Sequence, residues 1–177
     1  MSTILETDRL LLRQLTWDDL DPLAEAYADP ETMRYIGAGE VRSREETAAS
    51  LERMVAGYAQ WGYGLWATIY KPEGIWVGRC GIIRWEIEGQ EELEVGYLIA
   101  RPHWGRGLAT EAARAIRDWG LRELRRERLI SLIYPDNRRS IAVAEKIGMA
   151  YERPVELFGN QVSMYSLHVP RQPKPRA

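Results

Sequence analysis

The sequence predicts an α/β (α+β) fold, and three observations carry that prediction. Two Ser/Thr-x-x-acid capping boxes, Thr16-Trp17-Asp18-Asp19 and Ser43-Arg44-Glu45-Glu46, each open a run with helical apolar spacing. A block of strand-like segments between Leu65 and Ala100 is broken by the turn signals Lys71-Pro72-Glu73-Gly74 and Glu88-Gly89-Gln90-Glu91. A strand–helix–strand order then follows, the arrangement of a crossover rather than a hairpin.

Taken in chain order, Arg9 to Leu15 reads as a strand. Thr16 starts a helix whose apolar face is Leu20, Leu23, Ala24 and Tyr27. Pro30 to Tyr35 reads as a short helical turn, and Gly37-Ala38-Gly39 as a flexible break. Ser43 opens a second helix reaching about Trp61, with Ala48, Leu51, Val55, Tyr58 and Ala59 inward. Strands are expected at Leu65 to Tyr70, Ile75 to Ile87 and Leu93 to Ala100. A long helix from about Gly107 to Glu123 buries Ala112, Ala113, Ile116, Trp119 and Gly120. A strand at Leu129 to Tyr134 precedes a short helix, Ser140 to Ile147, stopped by Gly148. Strands near Ala150 to Leu157 and Gln161 to Val169 complete a single domain over residues 1–169, leaving 170–177 as a disordered tail.

Composition removes several function classes. A net charge of −2 gives no general attraction to nucleic acid. The lone Cys80 excludes an internal disulfide and a cysteine-based zinc site, and His103 and His168 are too few for a histidine metal cluster. Cys80 lies in an apolar run and reads as a small buried hydrophobe. No apolar run is long enough for a membrane span, and Met1 to Glu6 lack the pattern of a secretory signal, so a cytoplasmic location is expected.

The most informative stretch is Arg101-Pro102-His103-Trp104-Gly105-Arg106-Gly107-Leu108-Ala109-Thr110-Glu111-Ala112. A strand precedes it, a helix follows it, and two glycines flank one arginine at the turn. Glycines let the backbone approach an anion, and the free amides and dipole of a helix start favour negative charge. The pattern therefore predicts a pyrophosphate cradle. No Gly-Lys-Ser/Thr follows the loop, which excludes a P-loop nucleotide enzyme.

Together with Asn137-Arg138-Arg139-Ser140, these residues resemble the acyl-CoA site of the GNAT superfamily of N-acetyltransferases. The family loop reads Arg/Gln-x-x-Gly-x-Gly/Ala, and Trp104 stands where the family has Arg or Gln. A tryptophan there resembles the branch typified by the RimJ/RimL ribosomal-protein acetyltransferases. So do Thr7-Asp8-Arg9-Leu10-Leu11-Leu12-Arg13, Gly62-Tyr63-Gly64-Leu65-Trp66 and Glu145-Lys146-Ile147-Gly148-Met149. The likeness spans about residues 7 to 168. It implies a mixed, strongly bent sheet of about seven strands flanked by about four helices. It further implies a splay between the fourth and fifth strands, Leu93–Ala100 and Leu129–Tyr134, that takes the pantetheine arm of CoA.

The resemblance implies acetyl-CoA as co-substrate, no metal, and a monomer or homodimer. Tyr97, Leu98 and Ile99 would offer main-chain groups to pantetheine and the thioester. Trp104, Gly105, Arg106, Gly107, Leu108, Ala109 and Thr110 would form the phosphate cradle, with Arg106 adding a charge. Arg138 or Arg139 would meet the 3′-phosphate or face solvent. Asn137 would hydrogen-bond the pantetheine arm, with turn formation as its competing role. Glu94, on one strand face with Gly96 and Leu98, is the general-base candidate. Glu91 and Glu92 beside it allow the plainer reading of a solvent-facing acidic cluster. The family's usual tyrosine acid has no counterpart near Ser140-Ile141-Ala142-Val143-Ala144. Ser140 is the substitute, Tyr134 the reserve, and helix capping is the rival role for Ser140. The acceptor is a primary amine, either a protein N-terminal α-amine or a small molecule, contacted from Met33–Ser43 and Phe158–Gln161. A non-catalytic acyl-CoA-binding module is the alternative class.

Overall fold

The structure is a computed structural model and describes residues 3–170. It contains one sheet of eight strands: β1 Thr3–Glu6, β2 Leu10–Gln14, β3 Leu65–Tyr70, β4 Ile75–Ile87, β5 Gln90–Ile99, β6 Arg128–Ile133, β7 Ala150–Leu157 and β8 Asn160–His168. Five helices accompany it: α1 Leu20–Ala28, α2 Pro30–Met33, α3 Arg44–Trp61, α4 Leu108–Arg122 and α5 Arg138–Lys146. The spatial order is β1-β2-β3-β4-β5-β6-β8-β7. Every neighbouring pair is antiparallel except β5 and β6, which run parallel through α4.

The expected segments are present, and one more strand joins them. Thr3–Glu6 pairs with β2, so the sheet has eight strands rather than about seven, and the splay falls between the fifth and sixth. Its short polar pattern carries no run of alternating apolar residues, and pairing with the edge of β2 is what orders it. Of the expected tail, residues 170–177, all but Pro170 lies outside the described residues.

Two cores sandwich the sheet. On one face Leu10, Leu12, Trp66, Cys80, Ile82, Val95 and Leu129 pack against Ala112, Ala113 and Ile116 of α4 and Ala144 of α5. On the other, Ala67 and Leu98 pack against Leu23 and Tyr27 of α1 and Leu51 of α3. The Ser43–Glu46 box closes reciprocally, with Ser43 N–H on the Glu46 carboxylate at 2.7 Å and Glu46 N–H on Ser43 Oγ at 3.2 Å. Both two-residue hairpin turns, Glu88-Gly89 and Phe158-Gly159, place two successive residues at positive φ, the twist that suits a tight hairpin.

Candidate active site

The parallel β5–β6 pair opens almost at once. Glu94 and Ile130 are its only ladder partners. The Ser131 hydroxyl then donates to the Val95 carbonyl at 3.0 Å, and Leu132 N–H donates to Glu94 Oε1 at 3.1 Å. A side chain has taken the place of the next rung, and beyond it the strands part. On the far side of the gap Tyr97 donates its hydroxyl to the Ser140 carbonyl at 3.0 Å, joining β5 to α5.

Glu94 is therefore not part of a solvent-facing acidic cluster. It is 9% exposed, whereas Glu91 and Glu92 pair outward with Arg84, Arg126 and Arg128. Trp85 Nε1–H donates to Glu94 Oε2 at 2.6 Å. Burial pushes the Glu94 carboxyl up to about 7, against the opposing pull of the Trp85 and Leu132 hydrogen bonds. The group thus titrates near neutrality, where a proton acceptor is most useful. Burial also drives the Tyr97 phenol upward, so it stays protonated.

Gly105 and Gly107 sit at φ +75° and +76°, a region that side chains with a Cβ rarely adopt. Gly107 is the N-cap of α4 and brings no capping side chain. None of the six amides from Gly105 to Thr110 has a protein acceptor among the described residues; Glu111 N–H, on the Gly107 carbonyl, is the first that does. Six consecutive unused donors at a helix start suit a multiply charged oxyanion such as a pyrophosphate. The loop is braced from outside. Glu111 accepts from the Thr7 hydroxyl at 2.6 Å, from Arg9 N–H at 3.0 Å and from Arg9 Nε at 2.7 Å, while Arg9 Nη1 donates to the Arg106 carbonyl at 3.0 Å. Burial pushes the Glu111 carboxyl up, but those donors outweigh it and hold the group below its ordinary value. This joins the distant segments Thr7–Arg9 and Thr110–Glu111 into one unit.

Four expected roles look different in three dimensions. Arg106 leans away from the amide row: its guanidinium lies 4.3 Å from the Tyr70 ring centroid, 3.4 Å from Glu73 and 3.3 Å from His103 Nδ1. Ile99 does not offer a free carbonyl, because Trp104 Nε1–H donates to it at 2.6 Å while Arg139 stacks over the Trp104 ring at 4.7 Å. Ser140 is not the N-cap of α5. Asn137 is, its Oδ1 accepting Ser140 N–H at 3.2 Å and its Nδ2 donating to Ser140 Oγ at 3.1 Å. Asn137 and Ser140 thus form one polar pair at the fork. Tyr134 spends its hydroxyl on the Gly37 carbonyl at 2.7 Å.

A cavity of about 390 Å³ opens beside the fork, lined among others by Glu94, Gly96, Tyr97, Asn137 and Ser140. Tyr35, Ile36, Gly37 and Phe158 also line it, so both segments expected to face an acceptor reach it. Arg42, within the first of those segments, lines it too, whereas Tyr27, Arg79 and Trp85 were not expected. Arg79 interrupts the apolar run Ile75 to Ile83, and such an interruption is a readable signal of a buried charge. Trp85 could be found from the hairpin register. A turn at Glu88-Gly89 sets Ile83 opposite Glu94 and puts Trp85 diagonal to it on the same face. Cys80 is buried and burial pushes its thiol up to about 11, which fits an inert hydrophobe. Among the described residues no group of His, Cys, Asp or Glu could hold a metal, and no helix is long and apolar enough to cross a membrane.

A sheet forked at a parallel pair, with an uncapped glycine turn at its strand end, places this protein among acyltransferases of the GNAT type. A family model described as an acetyltransferase (GNAT) domain matches residues 9–150, and the chain belongs to that family. It is 39% identical over 165 residues to the uncharacterized protein YkkB of Bacillus subtilis (strain 168), covering 92% of this chain and 94% of that protein. The crystal structure of an acetyltransferase from Agrobacterium tumefaciens str. C58 is 31% identical, with a TM-score of 0.79 and 95% of each chain covered. The ribosomal L7/L12 α-N-protein acetyltransferase RimL, solved with coenzyme A, shares the fold at 18% identity and a TM-score of 0.79, over 95% of this chain and 98% of that one.

Proposed function

We propose that this acetyltransferase moves the acetyl group of acetyl-CoA to a primary amine by direct attack within a ternary complex. The observation that carries the reading is one line of features along the fork. Six unused amides stand at the end of β5, and a buried carboxylate that titrates near 7 stands mid-strand. Five steps of strand from Glu94 to Ile99, at about 3.3 Å each, put roughly 17 Å between the carboxylate and the end of β5, from which the amide-bearing turn follows, a span for an extended arm. Acetyl-CoA supplies the thioester, whose C–S bond breaks as the N–C bond forms.

The chain's own residues do the rest. Backbone amides from Gly105 to Thr110 hold the phosphates. Main-chain groups of Tyr97, on the strand edge that β6 leaves uncovered, bind the arm, and Asn137 both donates and accepts beside it; Leu98 does not share that role, because its carbonyl faces Gly78 of β4. Glu94 accepts the proton that the amine loses, directly or through water. Ser140, whose hydroxyl sits on Asn137 Nδ2, returns a proton to the departing sulfur. Tyr134, the reserve expected from the sequence, is the poorer donor, because its hydroxyl is already given to the Gly37 carbonyl.

The acceptor follows from enclosure. Resemblance to RimL, a ribosomal L7/L12 α-N-protein acetyltransferase, would suggest a protein N-terminal α-amine. The Tyr134–Gly37 and Tyr35–Asp136 hydrogen bonds draw the 35–37 segment over the fork, and this favours a small amine. The test is thiol release from acetyl-CoA with a panel of short peptides and small amines. Amine-dependent release is expected. Tight CoA binding without release on any amine would leave an acyl-CoA-binding module instead.

A further inference from the structure

Three arginines converge on the acceptor side of the cavity, and among the described residues none of them has a carboxylate partner. Arg79, in the middle of β4, is 7% exposed. A guanidinium is rarely buried unless it is paired. Its Nε donates to the Tyr27 hydroxyl, and that is its hydrogen bond to protein. Neither terminal nitrogen has a protein partner, although the residue lines the cavity.

Arg42 shares the same tyrosine. Its guanidinium carbon lies 4.9 Å from the Tyr27 ring centroid, and that of Arg79 lies 5.4 Å away. Arg42 Nη1 also donates to Ser50 Oγ at 3.0 Å, and Arg53 Nη2 reaches the same hydroxyl at 3.1 Å from the rim. Two guanidiniums around one ring, with a third a hydroxyl away, repel one another. Most arginines of this chain that lie near acids are paired with them, for example Arg13 with Asp19 at 2.7 Å and Arg128 with Glu152 at 2.8 Å. Here the one carboxylate in the cavity wall, Glu94, forms an ion pair with none of the three, although Arg79 acts on it through space. Three cations facing one unpaired carboxylate leave a surplus of positive charge that a ligand can compensate.

Both polarities line one cavity. Gly96 lies between Glu94 and the Leu98–Arg79 register pair, on the same strand face, and adds no side chain of its own; the Cδ1 end of Ile83 lies over it, 2.6 Å from where a Cβ would stand. The cavity, at about 390 Å³, is in the range of small-molecule sites and has a proton acceptor at one end and cations at the other.

We infer that the acceptor is a small amine that also bears an oxyanion, a carboxylate or a phosphate, with Arg79 and Arg42 seating the oxyanion and the amine facing Glu94. The inference rests on the transferase reading and adds the substrate class to it. Arg79 and Arg42 are positioning and specificity residues; they do not touch the reacting atoms.

The experiment compares acceptors matched except for the oxyanion, an α-amino acid with its α-amide and an O-phosphorylated amino alcohol with the free alcohol, with kcat/KM referred to the concentration of neutral amine because amine basicity differs within each pair. Wild-type protein is expected to favour the anionic member of at least one pair in kcat/KM by about 10- to 150-fold, the worth of one hydrogen bond to a charged group. The pair that shows the preference distinguishes carboxylate from phosphate. Arg79→Met and Arg42→Met are expected to collapse that ratio, while Arg79→Lys restores part of it. Thermal melts run beside the kinetics. If Arg79→Met does not fold, Arg42→Met, on a half-buried residue, carries the comparison. Equal or better turnover of the neutral members, or an unchanged ratio in the folded variants, overturns the inference. So does turnover confined to peptides. If no amine releases thiol, the transferase reading falls instead. The oxyanion seat is then decided by calorimetric titration of the same anionic probes into wild type and Arg42→Met, with equal heats in both refuting it.

Discussion

On the proposed reading, the two ends of the fork bind by opposite means. At the end of β5 the ligand-facing groups are main-chain amides from one contiguous segment, Gly105 to Thr110, and side chains mainly brace them from behind. In the acceptor cavity the groups are side chains from separate places: Tyr27 of α1, Arg42 before α3, Arg79 and Trp85 of β4, Glu94 of β5 and Ser140 of α5. The first end is fixed by backbone conformation and can host one kind of ligand. The second is fixed by packing and register, so it can change its ligand by single substitutions without disturbing the first. A fold that keeps one co-substrate while varying the other would gain from this division.

The sharpest way to break the contrast is Gly107→Val. A β-branched residue at φ +76° is strained whatever space surrounds it, and the turn must move to relieve the strain. CoA binding is expected to weaken by more than about 100-fold, as two or more charge-assisted hydrogen bonds are lost. The fold should survive, since Gly107 is exposed. Calorimetric titration with CoA, beside a thermal melt, reads both. Near-wild-type affinity would return the amide row to the status of an ordinary uncapped helix start.

Ser140→Ala probes the second end with a smaller effect. A thiol has a reference pKa of about 8.5 and leaves tolerably without help. The rate is therefore expected to fall by less than the roughly 100-fold usual for a lost general acid. Because Asn137 is the N-cap, Ser140→Ala should hardly shift the melting temperature, whereas Asn137→Ala should cost about 1 kcal/mol. A large stability loss in Ser140→Ala with unchanged rate per folded molecule would make Ser140 structural.

The smallest effect belongs to Arg106→Ala. Its charge is shared with Glu73 and Tyr70, and the Glu73 pair is solvent-exposed. CoA affinity is expected to drop about fivefold at low ionic strength, the upper range for an exposed charge contact, and the deficit should fade as salt rises. A deficit that persists in high salt would place Arg106 directly on a phosphate in a dry contact.

The same division explains what could be read from the sequence. Gly105 and Gly107 between a strand and a helix are legible because a backbone site needs contiguous residues and residues of one special type. Glu94 is legible as a candidate, but not its burial. That depends on β6 arriving alongside β5 from 36 residues downstream, with Ser131 on Val95 and Leu132 on Glu94. Nor could a capping serine be told from its neighbour Asn137, since either can accept an amide at a helix start and only the dihedral at Asn137 decides. The eighth strand, Thr3–Glu6, is set by pairing rather than pattern. The arginine cluster is the least legible of all. Arg42, Arg53 and Arg79 meet only because α1 packs against both α3 and β4 and its Tyr27 stands between Arg42 and Arg79.

The central claim is that Glu94, lifted to about 7 by burial, accepts the amine proton. It is tested most directly by the pH dependence of kcat/KM for wild type and Glu94→Gln, on any amine that turns over. The sign is fixed: below its pKa the carboxyl is protonated and cannot accept, so activity rises as pH climbs through that value. An alkylamine that titrates well above neutrality adds a rise of its own. Wild type is thus expected to show a steep limb of slope two below about pH 7 and slope one above it. Glu94→Gln is expected to be slower by about 100- to 10,000-fold at neutral pH, with slope one throughout and acetyl-CoA affinity nearly unchanged. A Glu94→Gln enzyme that keeps the full rate at neutral pH, or keeps the break near 7, would contradict the account.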